Sequence, residues 1–157
     1  MRVVEVCKAE EVLEHLDGLV KGDCDKPYAR VKEGDRTLFT YYGVPAVNEL
    51  FPFVEVAKSV DSGLNEEEAN LVKLLKGTVK LLVTPTCPYC PKYVELFYRA
   101  SLVNENLRVE VYDLTVNEEL IERYHVRSTP KILYNEKPIP ALDPLVVLKA
   151  MSRMTQK

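Results

Sequence analysis

The sequence lacks the features that would assign it to a membrane or secreted protein. Within its 157 residues, no apolar run approaches the roughly 18 residues that a membrane-spanning helix needs. The N-terminal residues enter alternating, strand-like sequence at once, without the charged, apolar and small-residue segments of a secretory leader. We therefore expect a cytoplasmic protein that does not have a membrane as a partner.

Charged residues are plentiful, but the lysines and arginines form no cluster. The chain has 21 lysines and arginines against 24 aspartates and glutamates, which gives a net charge of −3. Because there is no basic stripe, nucleic acid is not expected as the main partner. A hydrophobic content of 46% is typical of a globular protein with a buried core. A chain of this length forms one ordinary domain or two small ones.

Two of the four cysteines stand close together, in the segment Cys87-Pro88-Tyr89-Cys90. In a reducing cytosol, such a pair is more often catalytic or metal-binding than a static crosslink. A zinc site would need two further ligands. The other cysteines, Cys7 and Cys24, are distant in the sequence, on what looks like a separate unit. A shared metal site is therefore the weaker interpretation, and no metal or other cofactor is predicted.

The C-terminal half has the pattern of alternating strands and helices. An apolar strand over 80–84 leads to the cysteine pair, and apolar residues at helical spacing predict a helix over 88–104. Pro88 and Pro91 fall in its first turn, where a missing backbone N–H costs nothing. The remaining predicted elements are a strand over 108–113, a short helix capped by Asn117, a hairpin over 131–140 and a helix from Asp143 to about Met151.

The N-terminal half resembles an incomplete copy of this pattern. The predicted elements are a strand over 2–7, a helix over about 9–21, strands over 28–32 and 37–41, and a helix over about 46–60. With Pro27 aligned to Pro130, this half is interpreted as a unit without an opening strand and without a Cys-x-x-Cys helix. The predicted fold class is α/β, with a truncated unit over 1–62, a linking helix over 63–77 and a complete unit over 78–157.

The position of the cysteine pair between a strand and a helix predicts its chemistry. A thiol at a helix N-terminus faces the positive end of the helix dipole and unpaired backbone N–H groups, which favour the thiolate. Cys87 precedes the first turn and is reachable, so we assign it as the attacking nucleophile. Cys90 lies three residues on, close enough to resolve a mixed disulfide.

Two motifs of the C-terminal half resemble the thioredoxin superfamily: Cys87-Pro88-Tyr89-Cys90, which is the glutaredoxin form, and Tyr124-His125-Val126-Arg127-Ser128-Thr129-Pro130. The longer string over 84–91, together with Tyr42-Gly43-Val44-Pro45-Ala46-Val47-Asn48-Glu49-Leu50, is similar to the tandem protein disulfide oxidoreductases of thermophilic archaea and bacteria. The resemblance covers the chain from Arg2 to about Met151. It implies two thioredoxin-like units and a thiol–disulfide oxidoreductase.

The resemblance also implies a substrate site around Cys87. In the family, the proline that matches Pro130 is cis, and it would present the backbone of Thr129 to an extended substrate. Pro88 and Tyr89, between the cysteines, would shape access to this site. The expected partners are disulfide-bearing protein substrates and a thiol reductant or reductase. A homodimer is left open, because the sheet edge exposed by the missing strand would need to be covered.

The activity and the state of the other two cysteines stay open at this stage. The first unit has no Cys-x-x-Cys, and Leu81 stands where thioredoxins carry a buried carboxylate, six residues before the first cysteine. A glutathione-dependent glutaredoxin and a non-enzymatic redox or metal-binding adaptor therefore remain alternatives. Cys7 and Cys24 fall at the same end of the first unit. Two separate thiols are the favoured interpretation there, and a disulfide between them is the alternative.

Overall fold

The chain was analysed as a computed structural model that describes residues 2–13, 16 and 19–155. Eight strands lie within these residues: β1 (Arg2–Cys7), β2 (Leu19–Lys21), β3 (Tyr28–Glu33), β4 (Arg36–Tyr42), β5 (Gly77–Val83), β6 (Leu107–Asp113), β7 (Lys131–Tyr134) and β8 (Lys137–Ile139). The α-helices of the described residues are α1 (Leu50–Lys58), α2 (Glu66–Val72), α3 (Cys90–Val103), α4 (Glu119–Arg123) and α5 (Pro144–Thr155). None of these helices has the length and apolar character needed to cross a membrane.

All eight strands belong to one mixed sheet, in the order β2-β1-β3-β4-β6-β5-β7-β8. In the second half, β5 pairs in parallel with β6 and antiparallel with β7. In the first half, β1 pairs in the same way with β2 and β3. The two halves meet where β4 and β6 pair in parallel. The same four-stranded arrangement therefore occurs twice, which confirms the α/β architecture of two units.

The interpretation of the first unit needs two corrections. Strand β1 lies between β2 and β3 as β5 lies between β6 and β7, so β1 is the opening strand that we expected to be missing. The helix expected over 9–21 is also not formed as such: Glu10–Leu13 is a short 3₁₀ helix, and Leu19–Lys21 is a strand beside Val4–Val6. Residues 14, 15, 17 and 18 lie outside the described residues. Periodicity alone does not separate a short apolar strand from a buried helical segment.

The larger hydrophobic core is shared by both units. Tyr98 of α3 stacks on Phe39 of β4 with ring centroids 4.0 Å apart, and Phe53 of α1 meets Phe39 edge-on at 5.4 Å. Helix α3 therefore packs against the first unit as well as its own. A smaller cluster, which includes Leu120 of α4, lies on the other face of the sheet with Leu82. Alternate residues of a strand point to opposite faces, which separates Leu82 from its neighbours in the main core.

Strand directions bring five strand ends to one edge of the sheet. Strands β1, β2, β4, β5 and β6 run in the same direction, because β3 is antiparallel to both β1 and β4 and the remaining pairs are parallel. We call the edge at which these five strands end the carboxyl edge. Loops that follow parallel strands gather at such an edge, so this edge is where a site assembled from both units is expected.

One helix start also differs from its prediction. Asn117 was expected to cap the helix that follows β6, but α4 begins after Glu118 without a side-chain cap. The amide of Asn117 donates instead to the backbone carbonyls of Tyr42 and Asp113, each at 3.0 Å. This side chain therefore ties the ends of β4 and β6 together at the carboxyl edge.

Candidate functional site

The cysteine pair lies at the carboxyl edge, between the end of β5 and the start of α3. The backbone N–H of Cys87 donates to the carbonyl of Thr84 at 3.1 Å, which closes a tight turn after the strand. Cys87 and Cys90 form a disulfide, with their Cα atoms 5.6 Å apart. Cys90 is fully buried, whereas Cys87 is 6% exposed. Cys87 is therefore the outer sulfur, the position that an attacking thiol needs.

The loop before β7 forms one wall of this site. The Thr129–Pro130 peptide bond is cis. The backbone carbonyl of Thr129 lies 3.7 Å from Sγ of Cys87. Between the cysteines, Tyr89 is 66% exposed and Pro88 is also exposed. The residues that the sequence placed in the substrate site are thus adjacent in the structure, although their roles stay predictions.

The first unit also contacts this site. The backbone N–H of Asn48 donates to the carbonyl of Pro85 at 3.1 Å. Its side-chain amide donates to the carbonyl of Cys87 at 3.2 Å. The turn that carries the dithiol is therefore held from the unit that has no Cys-x-x-Cys. Sequence analysis did not find this contact, because the two residues are 39 positions apart and belong to different units.

Gly43 explains how the first unit approaches the site so closely. It follows β4 with φ +144°, a conformation that L side chains rarely adopt. A Cβ atom at this position would lie 2.7 Å from Cβ of Asp113, at the end of β6. Glycine therefore lets the chain pass against the end of β6 and carry Asn48 to the dithiol turn.

A buried carboxyl lies directly after Asn48. Glu49 is 0% exposed, and neither of its carboxyl oxygens has a hydrogen-bond partner among the described residues. Burial raises the pKa of Glu49 to about 8, and repulsion from Asp113 adds to the shift. Glu49 is therefore mainly protonated at neutral pH. The buried hydroxyls of Tyr41 and Tyr98 are likewise unpartnered, and their pKa values are also raised, mainly by burial.

Glu49 is not predicted from the sequence as a buried carboxyl. The position at which thioredoxins carry such a group, six residues before the first cysteine, is Leu81 in this chain. A glutamate before an apolar helix is common at protein surfaces, where it interacts favourably with the helix N-terminus. The feature of the sequence that could have indicated Glu49 is its position beside Asn48, in a segment that resembles the tandem family.

The other two cysteines are joined to each other. Cys7 and Cys24 form a disulfide with a Cα–Cα distance of 6.2 Å. The cause is the parallel pairing of β1 and β2: the backbone N–H of Gly22 donates to the carbonyl of Val6 at 2.7 Å, and the chain then returns to the end of β1. The structure thus differs from the favoured interpretation of two separate thiols.

The two disulfides are distant from each other along the carboxyl edge. Strands β3, β4 and β6 separate β1 from β5. At about 4.8 Å per strand, the ends of β1 and β5 are about 19 Å apart, too far for direct exchange between the two pairs. Within the described residues, no group of three or more histidine, cysteine or acidic side chains is placed to hold a metal ion.

Comparison with known proteins identifies both units. A family model described as a thioredoxin-like domain matches residues 2–61, and one described as a thioredoxin domain matches residues 78–139. The solved structure of Sso1120 from Sulfolobus solfataricus is 39% identical in sequence, with a TM-score of 0.78. That match covers 89% of this chain and 90% of Sso1120. Comparison with curated protein sequences finds no match.

Two more distant structures share the fold. The NTD_N/C domain of the alkylhydroperoxide reductase AhpF from Enterococcus faecalis is 15% identical, with a TM-score of 0.79 over 96% of this chain and 91% of that one. A protein disulfide oxidoreductase from Aeropyrum pernix is 22% identical, with a TM-score of 0.70 over 99% of this chain and 86% of that one. At these identities the likeness shows the fold alone.

The family assignment follows from the closer matches. Both units match thioredoxin-type family models, and the likeness to Sso1120 extends over nearly the whole of both chains. Together with the cysteine pair in the second unit, these matches support thiol–disulfide redox chemistry in general. The chain belongs to the thioredoxin superfamily, as a tandem protein with two thioredoxin-like domains.

Proposed function

We propose that this protein is a thiol–disulfide oxidoreductase that acts on the disulfide bonds of other proteins through Cys87 and Cys90. The observation that carries the proposal is the Cys87–Cys90 disulfide at the start of α3, with Cys87 outermost and the backbone of Thr129 beside its sulfur. The fold shared with a protein disulfide oxidoreductase from Aeropyrum pernix agrees with this proposal.

The first step is attack by Cys87. When the pair is reduced, the orphan backbone N–H groups at the start of α3 favour the thiolate of Cys87. The thiolate attacks one sulfur of the substrate disulfide, and a bond forms between Sγ of Cys87 and that sulfur. The substrate S–S bond breaks, and its other sulfur leaves as a thiolate that takes up a proton.

The second step is resolution by Cys90. Sγ of Cys90 loses its proton and attacks Sγ of Cys87, which reforms the Cys87–Cys90 disulfide and releases the second substrate thiol. Two electrons have then passed from the protein to the substrate, and an external thiol reductant must return them. Because Cys90 is fully buried, the sulfur within its reach is Sγ of Cys87 and not that of a substrate in solvent.

The surrounding residues position the substrate. We expect the backbone of Thr129, which lies beside the Cys87 sulfur at the cis Thr129–Pro130 bond, to pair with an extended chain that carries the reactive cysteine. Pro88 and Tyr89 follow Cys87 and are exposed, so we expect them to contact the same chain.

Insulin reduction with dithiothreitol tests the proposal. The wild-type protein should catalyse the reaction, and Cys87→Ser should abolish it. Cys90→Ser should stop turnover and accumulate a mixed disulfide at Cys87, which mass spectrometry detects. The double variant Cys7→Ser/Cys24→Ser is the matched control and should remain active.

Two other outcomes identify the alternatives. Reduction of glutathione mixed disulfides that survives Cys90→Ser, without insulin reduction, indicates a glutaredoxin. Stoichiometric binding of zinc or iron with no catalysis indicates a redox or metal-binding adaptor. Either outcome would contradict the proposed activity on protein disulfides.

A further inference from the structure

Large apolar side chains are exposed next to the dithiol turn. Among the described residues, four such side chains are more than 65% exposed: Val47 at 67%, Phe51 at 68%, Val60 at 99% and Tyr89 at 66%. Tyr89 lies between the two cysteines, and Val47 precedes Asn48, which bonds to Cys87. Phe51 is one residue into α1. Val60 follows the far end of that helix.

Val47 and Phe51 line a groove of about 660 Å³ that runs from the first unit to the dithiol turn. Its wall in the second unit includes Pro88 and Pro91, which flank the buried Cys90. We call this space the inter-unit groove. Its volume is within the range of sites that bind organic ligands. Pro88, which lines the groove, follows Cys87 directly. A chain joined to the sulfur of Cys87 therefore begins next to the groove.

Val47 is held outward in an unusual backbone conformation. Its φ of +55° lies in the left-handed region, which is a genuine outlier for a β-branched residue. The two hydrogen bonds of Asn48, to the carbonyls of Pro85 and Cys87, fix the adjoining backbone. Such conformations persist where the surroundings impose them, and they cluster at binding sites and ligand clamps.

We propose that the inter-unit groove binds the polypeptide segment adjacent to the reactive cysteine of a substrate protein, and that it favours segments with apolar side chains. This inference rests on the proposed function. A substrate chain joined to Cys87 begins beside the backbone of Thr129 and beside Pro88, which lines the groove. The charged residues of the lining, Lys92 and Glu95, have opposite signs, so the groove presents no net charge to select a charged ligand.

The test compares a protein disulfide with a small one. The second-order rate constants with which the reduced protein reduces insulin and hydroxyethyl disulfide are measured for the wild type and for Phe51→Ser. We expect Phe51→Ser to lower the rate with insulin by about tenfold, the loss typical of an apolar contact at the centre of an interface. The rate with hydroxyethyl disulfide should not change, since that molecule is too short to fill the groove.

Two controls accompany this variant. Val60→Ser removes an exposed apolar side chain of the same unit, away from the groove, and should change neither rate. Phe51→Leu keeps an apolar side chain at the groove and should retain most of the rate with insulin. Thermal melting of each variant checks that the fold is intact, which is expected because Phe51 is largely exposed.

Three results would overturn the groove's role while leaving the proposed function in place. They are equal losses on insulin and hydroxyethyl disulfide, no loss on either, or a wild-type dimer that Phe51→Ser dissociates. The last result would make a second copy of this chain the occupant of the groove. A wild-type protein inactive on both disulfides would overturn the proposed function itself, and the docking proposal with it.

Discussion

The side-chain amide of Asn48 in the first unit donates a hydrogen bond of 3.2 Å to the backbone carbonyl of Cys87 in the second. The backbone N–H of the same asparagine donates to the carbonyl of Pro85 at 3.1 Å. Both bonds end on the turn that carries the reactive pair. The first unit, which has no cysteine pair of this kind, therefore forms part of the framework of the site in the second.

Replacement of Asn48 by alanine tests this framework. The change removes the side-chain bond to Cys87 but leaves the backbone bond to Pro85. A hydrogen bond of this kind contributes about 1 kcal/mol, so we expect insulin reduction to slow by about fivefold. Enzyme kinetics and urea denaturation of the variant measure the effects on activity and stability separately.

The matched control for this prediction is Asn70→Ala, which removes an exposed asparagine side chain from α2. It should leave insulin reduction unchanged. If Asn48→Ala reduces insulin as fast as the wild type does, the bond to Cys87 has no part in holding the reactive turn.

The raised pKa of Glu49 predicts that the free energy of unfolding depends on pH. Burial raises its pKa in the folded protein from 4.5 to about 8, so the folded protein keeps a proton that the unfolded chain loses within this window. The free energy of unfolding should therefore fall as the pH rises from 4.5 towards 8, by at most about 1.4 kcal/mol per pH unit. Glu49→Gln cannot lose a proton there, and its unfolding free energy should vary less over the same range.

Urea denaturation at several pH values between 5 and 8 measures this difference. Glu55→Gln, an exposed carboxyl on α1, is the reference and should follow the wild-type curve. A wild-type curve that matches the Glu49→Gln curve would show that Glu49 is ionised throughout this range in the folded protein.

The Cys7–Cys24 disulfide is predicted to stabilise the first unit without taking part in turnover. It closes a loop with a sequence separation of 17 and lies at the end of β1, about 19 Å from the end of β5. Loop closure of this size contributes about 3 kcal/mol in the chain-entropy model. Cys7→Ser/Cys24→Ser should lower the free energy of unfolding by about this amount and keep insulin reduction. Loss of activity in a folded double variant would contradict the separation of the two pairs.

The second unit could be predicted from sequence because each of its elements carries a local signal. The strand before the cysteines, the proline-containing first turn of α3 and the alternation over 108–113 each follow from a short segment alone. The observed elements, Gly77–Val83, Cys90–Val103 and Leu107–Asp113, differ mainly at their ends. Element ends depend on hydrogen bonds with neighbours, which local spacing does not contain.

The first unit and the walls of the site depend on contacts distant in the sequence. Leu19–Lys21 becomes a strand because β1 offers it a partner, although its apolar residues also fit helical spacing. Glu49 acquires its raised pKa from burial, to which repulsion from Asp113 of the second unit adds. Asn48 reaches Cys87 because β4 and β6 pair and Gly43 permits a close approach. Each of these relationships joins residues that are distant in the sequence, so local spacing does not predict it.

The redox equilibrium of the Cys87–Cys90 pair tests the central claim most directly. The protein is equilibrated in glutathione and dithiothreitol buffers over a range of potentials, and free thiols are then alkylated and located by mass spectrometry. The account predicts that Cys87 and Cys90 gain and lose two electrons together, at a potential between about −270 and −120 mV, the range of thioredoxin-type proteins. A pair that forms no disulfide at any potential in these buffers would contradict it.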